Sequence, residues 1–331
     1  MIKIGVLGAG HLGKIHIKLL KEISDFQLVG FYDADDANAE KVALEFGIPA
    51  FESIDALLEV VDAVDIVTPT ISHFDCALKA IQAGKHFFIE KPLTNTIEEG
   101  ATLLKLVESS GLKAQVGHVE RFNPAFIAAQ PFGLSPMFVE AHRLAEFKPR
   151  GTDVSVVLDL MIHDIDILLS MVKSPVYQVS ASGVAVISDT IDIANARIEF
   201  ENGCVANLTA SRVSLKTERK MRIFQKNAYI TMDFHKKEVN VIKIKELQPD
   251  EIPSSFLVID PGEGKPRKEL FYSAPPIPEI NSIKRELELF ANAIQSNQDT
   301  AVSVKDGYDS MVLAKMILDK IDELTQRSLK Q

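Results

Sequence analysis

Residues 2–13 read Ile2-Lys3-Ile4-Gly5-Val6-Leu7-Gly8-Ala9-Gly10-His11-Leu12-Gly13. A short run of buried-strand character enters a G-x-G-x-x-G turn, and a helical pattern over 11–23 follows at once. Each glycine has a separate physical task in such a turn. Gly8 permits the sharp reversal, Gly10 lets a pyrophosphate approach the backbone, and Gly13 lets the helix pack close to the strand. The helix start, with the backbone of His11 and Leu12, offers unpaired amides and the positive end of its dipole to a phosphate. About twenty residues on, a second strand pattern ends in Asp33, where a carboxylate can accept the hydroxyls of a ribose and would repel a 2′-phosphate. Ala34-Asp35-Asp36 add negative charge and no arginine, so NAD is expected in preference to NADP.

The same grammar continues outward. Apolar runs at 2–7, 28–32, 63–68, 86–89 and 114–116 read as buried strands, and 11–23, 37–46, 54–60, 72–83 and 97–110 carry apolar residues at helical spacing. Strands alternating with helices predict a doubly wound parallel sheet, an α/β domain. After Pro124 the pattern changes. One long helix is expected over 154–172, then strand-like runs at 177–187, 193–200, 204–211, 220–225, 229–233 and 239–244, with a hairpin at Asn202-Gly203. This predicts an α+β domain with an open, mostly antiparallel sheet. Residues 249–278, rich in proline, glycine and charge, read as a loop excursion, and helices over 281–294 and 304–326 close the chain. The expected domains are residues 1–120 and 121–331, with the final helix packing back on the first.

Bulk properties exclude several classes. The chain has 331 residues, 46% hydrophobic and 25% charged, with a formal charge of −10, which speaks against a nucleic-acid partner. No stretch approaches the roughly 18 apolar residues of a membrane span. Cys76 and Cys204 are too few and too far apart for a disulfide framework or a zinc site. With no leader pattern before the first strand, a cytoplasmic protein is expected.

Two further segments carry candidate chemistry. Glu90-Lys91-Pro92 follows a strand directly, and ligands of open parallel sheets gather beyond the carboxyl ends of the strands, so topology puts Lys91 near a nicotinamide. A surface lysine at a loop is the plain alternative. On the long helix, Asp159, His163 and Asp166 stand at i, i+4 and i+7, one face, opposite Leu158, Ile162, Ile165 and Leu169. A histidine one turn from a carboxylate suits a general base. A satisfied structural histidine, three surface groups forming helix salt bridges, and a metal site share the same spacing, the last disfavoured because a lysine can supply the positive charge.

Together these segments resemble the glucose–fructose oxidoreductase/inositol dehydrogenase (Gfo/Idh/MocA) family over nearly the whole chain. The resemblance rests on Gly8–Gly13, Val67-Thr68-Pro69-Thr70 with His73, Gly84-Lys85-His86 leading to Glu90-Lys91-Pro92, Val116-Gly117-His118 before Arg121-Phe122-Asn123-Pro124, and Asp159, His163 and Asp166. Thr70 departs from the asparagine many members carry, and Thr152-Asp153 from a common glycine run. The resemblance implies a Rossmann domain that holds NAD, with Thr68, Pro69, His73 and Glu90 joining the glycine turn and Asp33. It implies Lys91 at the reacting hydroxyl, His163 as general acid/base and Asp159 as its acidic companion. It also implies a homodimer or homotetramer built through the second domain's sheet, whose open face is expected to be apolar.

Residues 117–124, 149–154 and 158–166 resemble a subgroup that oxidises the 3-hydroxyl of UDP-N-acetylglucosamine. A diphosphate needs cations, and Arg121, Arg143, Lys148 and Arg150 are candidates. A dehydrogenase of a free polyol such as an inositol, and a non-catalytic NAD-sensing regulator, are the alternatives.

Overall fold

The computed structural model describes residues 1–149, 152 and 154–328. The chain forms two compact units, Met1–Phe122 with Ile280–Leu313, and Asn123–Glu279 with the chain from Ala314 onward. Neither is one uninterrupted stretch, because the chain returns to the first unit after the second unit's sheet.

In the first unit β1 (Ile2–Leu7), α1 (His11–Leu20), β2 (Phe26–Tyr32), α2 (Asp36–Phe46), α3 (Ile54–Leu58), β3 (Ala63–Ile66), α4 (His73–Gln82), β4 (His86–Glu90), α5 (Ile97–Ser110) and β5 (Ala114–Gly117) follow in order. The strands pair in parallel in the order β2-β1-β3-β4-β5. The pleat sends alternate residues to opposite faces. Val64, Ile66, Phe87 and Ile89 pack with Leu57, Ala77 and Leu103 of the helices on one side. Ile4, Val6, Ala63 and Phe88 pack with Ile17 and Leu20 on the other, together with Leu287 and Phe290 of a later helix, Ser282–Ser296. Both faces are therefore covered, as near-continuous apolar strands require.

The second unit contains α6 (Pro124–Ala129), β6 (Phe138–Leu144), a π-helical turn at Val157–Met161, α7 (Ile162–Met171), then β7 (Val176–Val184), β8 (Ile193–Phe200), β9 (Val205–Ser211), β10 (Glu218–Gln225), β11 (Ala228–Asp233), β12 (Glu238–Glu246), β13 (Leu257–Ile259) and β14 (Lys268–Ser273). These strands form a nine-stranded sheet in the order β13-β14-β12-β11-β10-β6-β9-β8-β7. It is antiparallel except where β6 lies parallel to β9. Two helices, α8 (Ser282–Ser296) and α9 (Val304–Ser328), complete the chain.

Four sequence expectations are corrected. The helix over 154–172 is instead a π turn followed by α7. β6 carries Phe-Val-Glu-Ala-His-Arg-Leu, whose charged alternate residues hid a strand that is central in the sheet. The loop excursion over 249–278 contains β13 and β14, which extend the sheet from β12. The open sheet face is polar rather than apolar. Alternation puts Val139, Ala141, Ala196, Leu208 and Ile223 in the core and leaves Glu140, His142, Arg197, Asn207 and Arg222 outward, with Arg222 bonded to Glu140 and Arg197 to Glu199. Phe138, Phe224 and Tyr229 form its one aromatic cluster among the described residues.

Candidate active site

Because β1, β3 and β4 are parallel neighbours, the loops that follow them lie along one edge of the sheet. This brings Gly8–Gly13, Thr68-Pro69 and Glu90-Lys91 side by side. Gly8 holds φ at +93°, and its N–H donates to Tyr32 O at 2.8 Å. A Cβ there would meet the β3 loop, 2.8 Å from Val67 O. A Cβ on Gly13 would sit 2.1 Å from Gly8 O, so α1 reaches its place only with glycine at that position. Gly10 differs from both, since a Cβ on it would touch nothing within 4 Å. It caps α1 without a side-chain acceptor, and the first amides of the helix, from His11 and Leu12 onward, open on the space beside it. The cradle is what a pyrophosphate needs, and the residues present fit a dinucleotide.

Asp33 is more committed than its position in sequence suggests. One carboxylate oxygen accepts from Ala9 N–H at 2.6 Å and from Asn38 Nδ2 at 3.1 Å, and the other from Asp35 N–H at 3.0 Å. A carboxylate offers about four acceptor positions, so one remains for a ribose hydroxyl while the others hold the glycine turn in shape. Asn38, which also donates to Ala9 O at 3.2 Å, is a site residue the sequence reading missed. Its only sequence signal is its place in the first turn of α2 behind Asp35, the N-cap.

His73 does not present a ring nitrogen to a ligand. It is buried, with Nδ1 2.9 Å from Pro92 O and Nε2 3.0 Å from Thr68 O, so it ties the β3 loop to the β4 loop. Burial pushes its pKa down, against the pull of the two carbonyls and of Glu90. The Lys91-Pro92 peptide is cis. Glu90 is buried, and its Oε2 accepts from Lys91 N–H at 3.1 Å. Arg121 meets Asp306 at 3.2 Å, and that arginine helps to hold the Asp306 carboxyl below its usual range in spite of burial.

In the second unit the π turn carries Asp159, and His163 stands in the first turn of α7; both are half-buried. π turns inside helices are frequent at functional sites. Asp159 N–H donates to Ser155 O at 3.0 Å, and Val156 N–H to Ile191 O at 2.9 Å, which anchors the segment ahead of the turn. The π turn continues past Asp159 to Met161, ahead of His163, while His163 and Asp166 remain one turn apart on α7. Asp166 is fully buried, and Asp164 beside it takes both Nε and Nη2 of Arg143 at 2.9 Å. Arg143, 2% exposed, is therefore a core ion-pair residue and not a pocket cation. Lys148 is exposed, and Arg150 lies outside the described residues. Among the described residues no group of histidine, cysteine and carboxylate side chains is arranged to hold a metal ion, and no helix is long and apolar enough to cross a membrane.

Comparison with known proteins follows this division. Residues 2–118 match the Gfo/Idh/MocA oxidoreductase family's NAD-binding Rossmann fold, and residues 135–231 match a Gfo/Idh/MocA C-terminal domain. The chain is 45% identical over 235 residues to a UDP-N-acetylglucosamine 3-dehydrogenase of Acidithiobacillus ferrooxidans, covering 70% of this chain and 74% of that protein. The solved structure of that enzyme superposes with a TM-score of 0.86 at 35% identity, covering 97% of this chain and 98% of that one. An inositol 2-dehydrogenase of Rhizobium meliloti is 28% identical over 99% of both chains. A scyllo-inositol dehydrogenase of Lactobacillus casei, solved with NAD(H) and scyllo-inositol, shares the fold at a TM-score of 0.76 and 21% identity, covering 98% of this chain and 97% of that one.

Proposed function

The chain belongs to the Gfo/Idh/MocA oxidoreductase family, and we propose that it moves a hydride between NAD and the 3-hydroxyl carbon of a UDP-N-acetylhexosamine. At the coarser level it is a nicotinamide-dependent dehydrogenase acting on CH–OH groups of sugar-like substrates. The likeness to the Acidithiobacillus enzyme, in sequence and over nearly the full length in structure, is the observation that carries the finer reading.

The glycine turn and α1 would hold the diphosphate of NAD, Asp33 a ribose hydroxyl, and Thr68, Pro69, Glu90 and Lys91 the remainder. Asp33, with Asp35 and Asp36 beside it, favours NAD over NADP by charge. NAD, when bound, supplies the hydride acceptor. His163 takes the proton of the substrate hydroxyl, Asp159 orients it, and the Lys91 ammonium opposes the negative charge that develops on the oxygen. Arg121 and Arg150 are the candidates for the substrate diphosphate, Arg121 in exchange with Asp306.

NADH formation with UDP-N-acetylglucosamine, myo-inositol and glucose tests the reading. The nucleotide sugar should turn over at least about tenfold more efficiently, because a site that hydrogen-bonds the nucleotide leaves those groups unpaired with a free sugar. A preference for myo-inositol would instead select the polyol reading that the Rhizobium relative supports, and tight NAD binding without turnover would select a regulator. His163→Ala should lower kcat by about 10²–10⁴-fold. A homodimer or homotetramer through the open sheet face now rests on the aromatic cluster and its flanking charges; light scattering showing a monomer at micromolar concentration would refute it.

A further inference from the structure

Beneath the Glu90-Lys91 step, on the α1 and α8 side of the parallel sheet, four ionisable side chains share one patch of core. They are His16 from α1, Asp65 from β3, Glu90 from the end of β4 and Glu286 from α8. His16, Asp65 and Glu286 have no exposure, and Glu90 has 8%. His16 Nδ1 lies 2.9 Å from Asp65 Oδ2, and its Nε2 lies 3.5 Å from Glu90 Oε1. The Phe88 ring stands against the imidazole at 5.9 Å between centroids, which excludes water from that side. Glu90 turns its other oxygen to Lys91 N–H, and a Cβ on Gly117 would come within 2.8 Å of its Oε1. The carboxylate is thus wedged between a ring and a backbone, with one hydrogen bond directed at the residue that matters for the chemistry. Gln115 of β5 donates to Glu286 O at 2.7 Å and brings no charge.

Charge accounting makes the arrangement specific. Burial lifts the Glu286 carboxyl well above the usual carboxylate range, and it lifts Asp65 as well, against the pull of His16. Burial alone would push His16 down, but Asp65 and Glu90 outweigh it and hold the imidazole well above its ordinary value. His16 therefore stands between two carboxyls, Asp65 and Glu90, with a third acid, Glu286, beside them. Buried ionic groups contribute little net stability for their desolvation cost, and apolar packing would serve as well or better. What such a group does supply is direction.

Resting on the reading of Lys91 as the residue that meets the substrate oxygen, we propose that His16 is a positioning residue. Seated between Asp65 and Glu90, it holds the Glu90 carboxylate in place with its other oxygen on Lys91 N–H, and so fixes the Lys91 backbone ahead of Pro92. The glycine turn and Lys91 are thereby joined through the core, since His16 is one helical turn beyond Gly13.

His16→Asn keeps an amide donor where Nδ1 meets Asp65 and withdraws Nε2 from Glu90; His16→Gln places an amide donor towards Glu90. Thermal unfolding, NADH affinity, kcat and KM from about pH 6 to about pH 9, and the rate of acetylation of Lys91 by mass spectrometry are measured on each, with exposed Lys41 as internal reference. His16→Asn should keep NADH affinity and KM within about threefold while kcat falls at least about tenfold. The Lys91 acetylation rate should change by at least about threefold with Lys41 unchanged, and His16→Gln should recover part of kcat. A folded His16→Asn with kcat within about twofold and unchanged Lys91 acetylation overturns the proposal. So does a fall in Tm, NADH affinity and kcat by a common factor, which is the mark of a merely structural role. If His16→Asn does not fold, Asp65→Asn takes its place with the same expected and overturning results. If the wild type turns over none of the sugars, the substrate reading fails, and Lys91 acetylation in the NADH-bound protein still decides the role of His16.

Discussion

Gly10→Ala and Gly13→Ala separate cofactor binding from folding within four residues. At Gly13 the new Cβ would lie 2.1 Å from Gly8 O and 2.9 Å from Gly8 C, both backbone atoms. An ordinary C···O contact is about 3.3–3.6 Å, so α1 must retreat from β1 by roughly 1 Å or more. Overpacking of this kind costs about 1–3 kcal/mol, which in a domain of this size lowers Tm by roughly 2–12 °C. At Gly10 the φ of −68° is open to any residue, and nothing stands within 4 Å of the added methyl. Alanine there gains about 0.4–1 kcal/mol through the unfolded chain and loses a similar amount as a poorer helix cap than glycine. The two nearly cancel, and Tm should stay within about 3 °C of wild type.

Binding should move the other way. The methyl of Gly10→Ala occupies the approach of the pyrophosphate, and NADH affinity should fall at least about tenfold, or about 1.4 kcal/mol. Thermal unfolding in the absence of nucleotide and an NADH fluorescence titration give both numbers from one preparation. Gly10→Ala that binds NADH within about twofold of wild type would refute the assignment of this turn. Gly13→Ala that melts like wild type would refute the packing argument.

Three further outcomes follow from the same geometry. Asp33→Asn removes the charge while keeping an acceptor for Ala9 N–H, so the preference for NADH over NADPH should fall at least about tenfold; an unchanged ratio of dissociation constants would remove Asp33 from cofactor selection. Arg143→Met strands the buried Asp164 carboxylate and should cost about 3–5 kcal/mol, most of it recovered in the Arg143→Met/Asp164→Leu double variant; equal Tm values for the two would show that the pair is not coupled. His16 and Glu286 both bind a proton more tightly when folded, so their contributions are complete below the unfolded values of about 6.5 and about 4.3, and are lost as pH rises through the folded ones. Tm should therefore decline from about pH 6 to about pH 9, and Glu286→Gln, with no proton to lose, should flatten the decline.

The first unit was legible because its strands are buried on both faces and its helices are amphipathic, so period alone separates them. The second unit resisted for an equally physical reason. Its sheet has one wet face, and in β6 that face carries Glu140 and His142 while Arg143 points the other way, into the core, to meet Asp164. A strand with three charged or polar residues among four, Glu140, His142 and Arg143, alternates too weakly in sequence to be recognised, although its partners on either side, β9 and β10, alternate cleanly. The π turn was invisible for a different cause. An extra residue in a helical turn leaves composition and apolar spacing almost unchanged, so nothing in Val157–Met161 announces it.

Charge was the least legible property of the site, since a sequence shows which residues carry it but not which are already paired. Arg121, Arg143 and Asp33 each looked available for a ligand, and each has an intramolecular partner. The consequences differ. Arg143 is fully withdrawn, because its partner is as buried as it is and exchange would strand a carboxylate. Asp33 is a shared resource, with its remaining acceptor position set by the bonds that shape the turn. Arg121 is opposite a partner that is 30% exposed, so of the two arginine ion pairs this is the one that reaches solvent. In the reverse direction, Asp65 in the otherwise apolar strand Ala63–Ile66 and His16 on the buried stripe of α1 were polar residues at core positions, open to view in the sequence. Their spacing of 49 residues gave no hint of a shared partner. Only the parallel order of β1, β3 and β4 brings them together below Glu90, and it is that order, set by apolar packing, which decides where the buried charges act.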